Sequence, residues 1–178
     1  MNSIKLLKEQ FKVAHEFLEG TMQEVDDSVA HKMPAGKAHN IASLYAHLFA
    51  SEDMLLNSVL QGKPSFFATN WAEKTGMSEM MPQPDQNWEQ NFKDWAGRVK
   101  IDLAAIKEYR SAVNQALEDY IGNLREVDLD REVDLTAMGM GKVNVAWILS
   151  NLIIAHINNV TGEISALKGT QGLKGYPF

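Results

Sequence analysis

Residues 144–167, NVAWILSNLIIAHINNVTGEISAL, decide the fold class of this chain. Apolar residues recur in this stretch at steps of three and four, which is the period of one face of an α-helix. His156 lies within that apolar stripe, so its imidazole is predicted to face the protein core. The predicted inward face comprises Val145, Leu149, Leu152, His156, Val160, Ile164 and Leu167.

Three further stretches of the chain have the same helical periodicity. The first helix is predicted over residues 4–25, the second from about Asn40 to Leu60, and the third from about Asp85 to Leu124 with a break near Gly97. Amphipathic helices of this kind bury their apolar faces against one another. The pattern therefore predicts an all-α fold, a four-helix bundle, in a single domain over residues 1–178.

Two of the connections between these helices have sequence patterns that predict ordered structure. The crossover, residues 62–84, joins the second and third helices and is too apolar for a flexible linker, so we expect a packed segment, a lid or a partner surface. The segment Arg125–Leu129, REVDL, recurs as Arg131–Leu135 with apolar and polar residues alternating. That alternation predicts a short extended segment between the third and fourth helices.

Composition and charge narrow the classes of function. Hydrophobic residues make up 45% and charged residues 22% of the chain, as in an ordinary globular domain. A net charge of -6 argues against non-specific binding to nucleic acid. We find neither an apolar stretch long enough to span a membrane nor a secretory signal, so we expect a cytoplasmic protein with no membrane partner. The absence of cysteine excludes disulfides, thiolate ligands and a cysteine nucleophile.

Two histidines are candidates for a metal site. If the second and fourth helices are neighbours, His47 and His156 can meet and offer two imidazoles to a divalent metal. A third ligand is open: Asn159 follows His156 by three residues, whereas Glu52 and Asp53 lie on a different part of the helix from His47. It is equally open that both are hydrogen-bonded histidines of the core or of a cavity, without a metal.

Other catalytic patterns are absent or incomplete. A di-iron bundle requires Glu-x-x-His, and no histidine here has a glutamate three residues before it. The segment His15–Glu19, HEFLE, has a glutamate where a zincin helix has its second histidine, so we predict a solvated helix edge there. His31 and His39 flank Pro34 and Gly36 and are expected to be exposed loop or cap residues.

Three segments, taken in order, resemble a known family. They are Asn40–Leu48, NIASLYAHL; His156–Ile164, HINNVTGEI; and the tail of residues 167–178, LKGTQGLKGYPF. The first is similar to a second helix carrying a metal-ligand histidine, and the second to the pattern His-x-x-x-His-x-Gly-Glu-Ile. The layout resembles the DinB/YfiT-like superfamily over nearly the whole chain.

This resemblance implies a fold and a chemistry. Such proteins form an up-down-down-up four-helix bundle, often a homodimer, and hold nickel or zinc with three histidines. Characterised relatives include thiol S-transferases and a mycothiol-dependent isomerase, in which the metal activates a low-molecular-weight thiol. On this chain His47 and His156 match two of the ligands, while Val160 replaces the third, so we expect a degenerate metal site.

Two functions of different classes remain. The first is a metal-dependent thiol S-transferase or hydrolase that acts on a small molecule, with Asn159, solvent or another side chain completing the coordination of nickel or zinc. The alternative is a metal-free protein of the same fold that binds a small apolar ligand, or only dimerises, through the aromatic residues Phe66, Phe67 and Trp71 of the crossover. A thiol cosubstrate would belong to the first function only.

Overall fold

The computed structural model describes residues 2–69, 71, 73–83 and 86–178, and this part of the chain is mostly helical. The α-helices are α1 (Ser3–Thr21), α2 (Asp27–Ala30), α3 (Ile41–Asp53), α4 (Trp88–Arg98), α5 (Ala105–Asn123), α6 (Val145–Trp147) and α7 (Ala155–Thr170). Two π-helical stretches, Met54–Leu60 and Ile148–Ile154, continue α3 and join α6 to α7. An antiparallel hairpin of β1 (Glu132–Asp134) and β2 (Lys142–Asn144) precedes α6.

The long helices share one apolar core. Both α1 and α3 pack against α5 and α7. The predicted inward stripes are buried as expected, for example at Phe11, Leu48 and Ile164, and this burial is the main source of stability for amphipathic helices. Among the described residues, no helix combines the length and the apolar character needed to cross a bilayer.

Asparagine side chains start three of the helical segments. Asn2, Asn40 and Asn144 each accept a hydrogen bond from the backbone N–H three residues later, the geometry of an N-cap. The start of the second helix predicted at about Asn40 is therefore confirmed. The start of the third helix predicted at about Asp85 lies outside the described residues, and α4 begins at Trp88.

The first helix ends four residues earlier than its apolar periodicity predicts. Lys168, only 2% exposed, donates hydrogen bonds from Nζ to the carbonyls of Thr21 (2.7 Å) and Gln23 (2.6 Å). An ammonium group at this end satisfies carbonyls that have no partner within the helix and complements the helix dipole. Val25 lies beyond the end of α1 but still packs on the core, so the apolar pattern continues in sequence past the end of the helix.

The predicted third helix is two helices, and its break lies after Gly97. The intervening segment is extended at Ile101, which bridges to Met77 and donates its N–H to Nε2 of His31 at 3.1 Å. Asp102 then caps α5 by accepting from two backbone N–H groups. His31 is the C-cap of α2, in agreement with the expected loop or cap position, but its ring is half-buried rather than exposed and ties α2 to the break.

The two REVDL copies adopt different structures. The second copy contains β1, as predicted, but the first forms a 3₁₀ turn over Glu126–Asp130, so the extended prediction was wrong there. Arg125 and Asp128 close that turn through an ion pair of 2.7 Å. Identical sequence gives different structure here because only the second copy has a partner strand.

Asp53 anchors the crossover to the helices. Its carboxylate accepts hydrogen bonds from the Asn57 amide (2.7 Å), the backbone N–H groups of Phe66 (2.8 Å) and Phe67 (3.1 Å), and the Tyr109 hydroxyl (2.7 Å). Both oxygens are thereby occupied, and the residue is 1% exposed. Asp53 therefore holds the crossover in place and has no oxygen free for a metal at His47.

Candidate ligand cavity at the histidine pair

The packing of α3 against α7 brings His47 and His156 together. Their ring centroids are 4.9 Å apart, with an edge-to-face angle of 71° between the planes. The π-helical stretch before α7 changes the helical phase of the fourth segment, yet His156 still faces α3. The two imidazoles thus meet as the sequence predicted, and both are half-buried.

The crossover, α3 and α4 each supply an immediate neighbour of His47. Its Nδ1 lies 3.2 Å from Sδ of Met81 and 3.3 Å from the hydroxyl of Ser51. The edge of the Phe92 ring contacts the imidazole on another side, with centroids 4.8 Å apart. These contacts fix the orientation of the His47 ring.

Burial keeps both imidazoles neutral. Burial, with smaller contributions from the neighbouring His156 and His39, lowers the pKa of His47 to about 3. Burial also lowers the pKa of His156, while the carboxylate of Glu52 opposes that shift. Each ring therefore offers one hydrogen-bond donor and one acceptor near neutral pH.

A cavity of about 680 Å³ opens onto the histidine pair. It lies between α3, the crossover, the turn at residues 137–140 and the fourth helical segment. Four methionines give it a sulfur-rich apolar wall, and its polar lining includes Ser51, Gln86, Asn151 and Asn159 beside the two histidines. The lining residues are His47, Ser51, Met54, Leu55, Met81, Gln86, Trp88, Ala137, Met138, Gly139, Met140, Asn151, Leu152, His156 and Asn159.

The donor set at this cavity fits only part of the three-histidine site that the resemblance implies. Val160 is 2% exposed and places hydrocarbon at the third position, and Asn159 is exposed at the rim of the cavity. Within the described residues, no group of three or more histidines, cysteines, aspartates and glutamates is arranged to hold a metal. We therefore derive no catalytic step from a metal at this cavity.

The prediction of a solvated edge at His15 was wrong. His15 is 7% exposed, and its ring packs edge-on to Phe11 (4.5 Å between centroids) and stacks near Phe49 (6.0 Å). The ring also lines a second cavity, of about 710 Å³. The signal was present in the sequence, because positions 11, 15 and 18 share one helical face.

The aromatic residues of the crossover lie apart from the histidine pair. Phe66 and Trp71 are half-buried and line a different surface cavity, of about 740 Å³. Trp71 also packs against Tyr109, with centroids 6.2 Å apart.

Met138 and Met140 line the cavity at the histidine pair, and the sequence did not predict this. Both lie on a connection between helices, where helical periodicity gives no signal.

Stability should fall in acid because His47 is buried as a neutral group. Its folded-state pKa lies below the ordinary value of about 6.5, so the unfolded chain binds more protons between these values. The stabilisation is complete above about pH 6.5 and is lost as the pH falls toward 3. We expect His47→Gln to reduce the slope of unfolding free energy against pH by up to about 1.4 kcal/mol per unit. Urea unfolding between about pH 4.5 and 7 measures this slope for the wild-type protein and for the variant. A slope that His47→Gln leaves unchanged would contradict the burial of a neutral imidazole. Asn159→Ala, which removes no titrating group, is the control.

Taken together, the fold and the cavity define a mostly helical protein with two neutral histidines on the wall of a mostly apolar cavity. The sequence profile of the DinB superfamily matches residues 10–159, and the chain belongs to that superfamily. A crystal structure described as the conserved protein of locus from Enterococcus faecalis has a similar fold, with a TM-score of 0.76 and 20% identity over 94% of this chain and 96% of that one. No curated protein matches the sequence.

Proposed function

We propose that this protein binds a small, mostly apolar molecule in the cavity at His47 and His156. The observation that carries the proposal is the cavity itself, about 680 Å³ of mostly apolar lining with two neutral imidazoles on one wall. Ligand sites are typically apolar clefts of about 300–1,000 Å³ with a few convergent polar groups. The occupant therefore has an apolar body and one or two hydrogen-bonding atoms.

The cavity wall favours a ligand of adaptable shape. Met54, Met81, Met138 and Met140 are unbranched thioethers that fill irregular gaps and contact aromatic rings favourably. The contact of Ser51 with Nδ1 of His47 leaves the remaining imidazole nitrogens of the pair to meet the polar end of a ligand. Asn159 and Asn151 lie at the exposed rim, where they can contact a solvated end.

Isothermal titration with indole, 2-naphthol and 1-octanol tests this proposal. Leu152→Trp adds bulk to the cavity and is expected to weaken binding of the best probe by at least about tenfold, because the apolar contacts are lost. Ala116→Leu, in the separate cavity beside Trp71, is the matched control and should leave the affinity unchanged.

The reverse pattern would move the binding site. If Ala116→Leu weakens binding and Leu152→Trp does not, the aromatic residues of the crossover form the ligand site instead. Binding that neither variant changes would overturn both placements. The affinity of the wild-type protein for each probe provides the reference in every case.

A metal at the histidine pair is the second candidate. The distance of 4.9 Å between the rings supports two imidazole ligands for nickel or zinc, with solvent or Asn159 completing the coordination. This arrangement underlies the proposal of a thiol S-transferase or hydrolase with a thiol cosubstrate. Elemental analysis of untagged protein, beside His47→Ala and His156→Ala, should show a bound ion that both variants lose. Absence of any uptake on titration would remove the metal and the activity together.

The homodimer and the up-down-down-up helix topology that the resemblance implies are also proposals. The contacts of α1 and α3 with both α5 and α7 support the up-down-down-up four-helix bundle. A homodimer rests on the resemblance, and sedimentation velocity of the purified chain measures it directly. A sedimentation coefficient that stays at the monomer value as concentration rises would exclude the dimer.

A further inference from the structure

Buried polar atoms without partners gather where α1, α3 and α5 meet. Within the described part of the chain, neither Glu52 carboxylate oxygen, nor Nε2 of His15, nor Oδ1 of Asn114 has a hydrogen-bond partner. Native proteins leave few buried polar atoms unpartnered, and a bound ion is one of the explanations for such atoms. None of these three residues lines the cavity at His47 and His156.

Glu52 has the greatest need for a counter-charge. The residue is fully buried, with 0% exposure. Among the described residues, its ion-pair partner is His15, and its carboxylate also acts electrostatically on His156. The neighbouring Asp53 accepts four hydrogen bonds, and Glu19 is paired with Arg110. A buried carboxylate without donors is costly, so a proton, a charged imidazole or a metal ion must compensate for it.

The spacing of His15 and Glu52 matches that of two ligands around one ion. Nε2 of His15 lies 3.4 Å from Oε1 of Glu52, without hydrogen-bond geometry. A charge-assisted hydrogen bond would be about 2.7–2.9 Å long. Donors bound to a tetrahedral ion at about 2.0–2.2 Å lie about 3.3–3.5 Å from each other.

Asn114 can set the tautomer that a metal requires. Its Nδ2 lies 3.3 Å from Nδ1 of His15, while its Oδ1 is buried without a partner. A half-turn of the amide exchanges these two atoms, so that Oδ1 accepts the Nδ1–H proton. The lone pair of Nε2 then points toward Glu52, and a carbonyl oxygen orients the ring as it does for metal-bound histidines.

We propose that His15 and Glu52 form a second site, which binds a divalent transition-metal ion between α1 and α3. Nε2 of His15 and Oε1 of Glu52 supply two donor atoms of a tetrahedral site, and solvent supplies the others. Rings of Phe11 and Phe49 hold the imidazole in place, and the adjacent cavity of about 710 Å³ gives ions and water access to His15. Imidazole with carboxylate suits zinc or cobalt better than magnesium.

Metal titration of the His47→Ala/His156→Ala double variant tests this site without interference from the other histidines. We expect uptake of about one Zn²⁺ or Co²⁺ per chain, with Mg²⁺ failing to compete. Glu52→Gln and His15→Gln should each weaken Zn²⁺ binding by at least about tenfold, and Asn114→Ala by roughly tenfold. Glu16→Gln, at an exposed carboxylate one residue from His15, is the matched control and should bind as before.

Two further readouts separate the metal from a merely structural role. Glu52→Gln removes an uncompensated buried charge, so the metal-free variant should melt no lower than the parent, while Zn²⁺ raises the melting temperature of the parent alone. X-ray absorption of the Zn²⁺-loaded double variant should show one imidazole and oxygen donors. Absence of uptake, a ligand shell without imidazole, or equal binding by Glu52→Gln would overturn the site. None of these outcomes bears on probe binding at the His47 cavity.

Discussion

Asp53→Ala is expected to lower the free energy of unfolding by about 3–5 kcal/mol. The substitution removes the acceptor of four hydrogen bonds, from Asn57, Phe66, Phe67 and Tyr109. Each buried donor left without an acceptor costs about 1–3 kcal/mol, and relief from burying the carboxylate offsets part of the sum. Urea unfolding followed by circular dichroism measures the change.

A surface carboxylate provides the control for Asp53. Asp94 is exposed and accepts one hydrogen bond from Gln90, so Asp94→Ala should change stability by no more than about 0.5 kcal/mol. Asp53→Ala should also make the crossover more accessible to a protease, because the Phe66 and Phe67 amides lose their attachment. A loss below about 1 kcal/mol would show that the crossover does not depend on this carboxylate.

Gly76→Ala is expected to cost about 3 kcal/mol or more, or to prevent folding. Gly76 has a φ of 72°, a conformation that residues with a Cβ atom adopt only with strain. An added Cβ would also collide with the backbone nitrogen of Ile106 and lie 2.8 Å from the carbonyl oxygen of Asp102. Neither atom can move without disturbing the start of α5, and thermal and urea unfolding report the loss.

Gly36 separates the two causes of that loss. Its φ of 83° is similar, but a Cβ atom there would meet nothing within 4 Å. Gly36→Ala should therefore show the backbone strain alone, about 1 kcal/mol. If Gly76→Ala costs no more than Gly36→Ala, the close approach of α5 to Gly76 is not rigid.

Periodicity predicted the helices better than their ends. The apolar stripes of α1, α3 and α7 are visible in the sequence because burial on one face requires them. The end of α1 depends on Lys168, 147 residues from Thr21, and no local pattern encodes so distant a contact. The prediction of an extended segment at the first REVDL copy was wrong for a similar reason, because its structure depends on whether another part of the chain provides a partner strand.

The candidate site was predictable in part. The meeting of His47 and His156 followed from their positions on two inward helical faces. The assignment of HEFLE to a solvated edge gave too little weight to His15 sharing a face with Phe11 and Leu18. Met81, Met138 and Met140 lie on the connections between the long helices, where no helical periodicity predicts which side chains line the cavity.

The attachment of Lys168 to the end of α1 also bears on how the protein is made. Synthesis proceeds from α1 toward α7, so α1 leaves the ribosome before α7, which packs on it and supplies the lysine. Contacts between residues so far apart in sequence form late, because a long loop must close before they are made. The part of the α1 apolar stripe that packs on α7 therefore stays uncovered until α7 has been made, and exposed apolar surface of this kind promotes aggregation of a nascent chain.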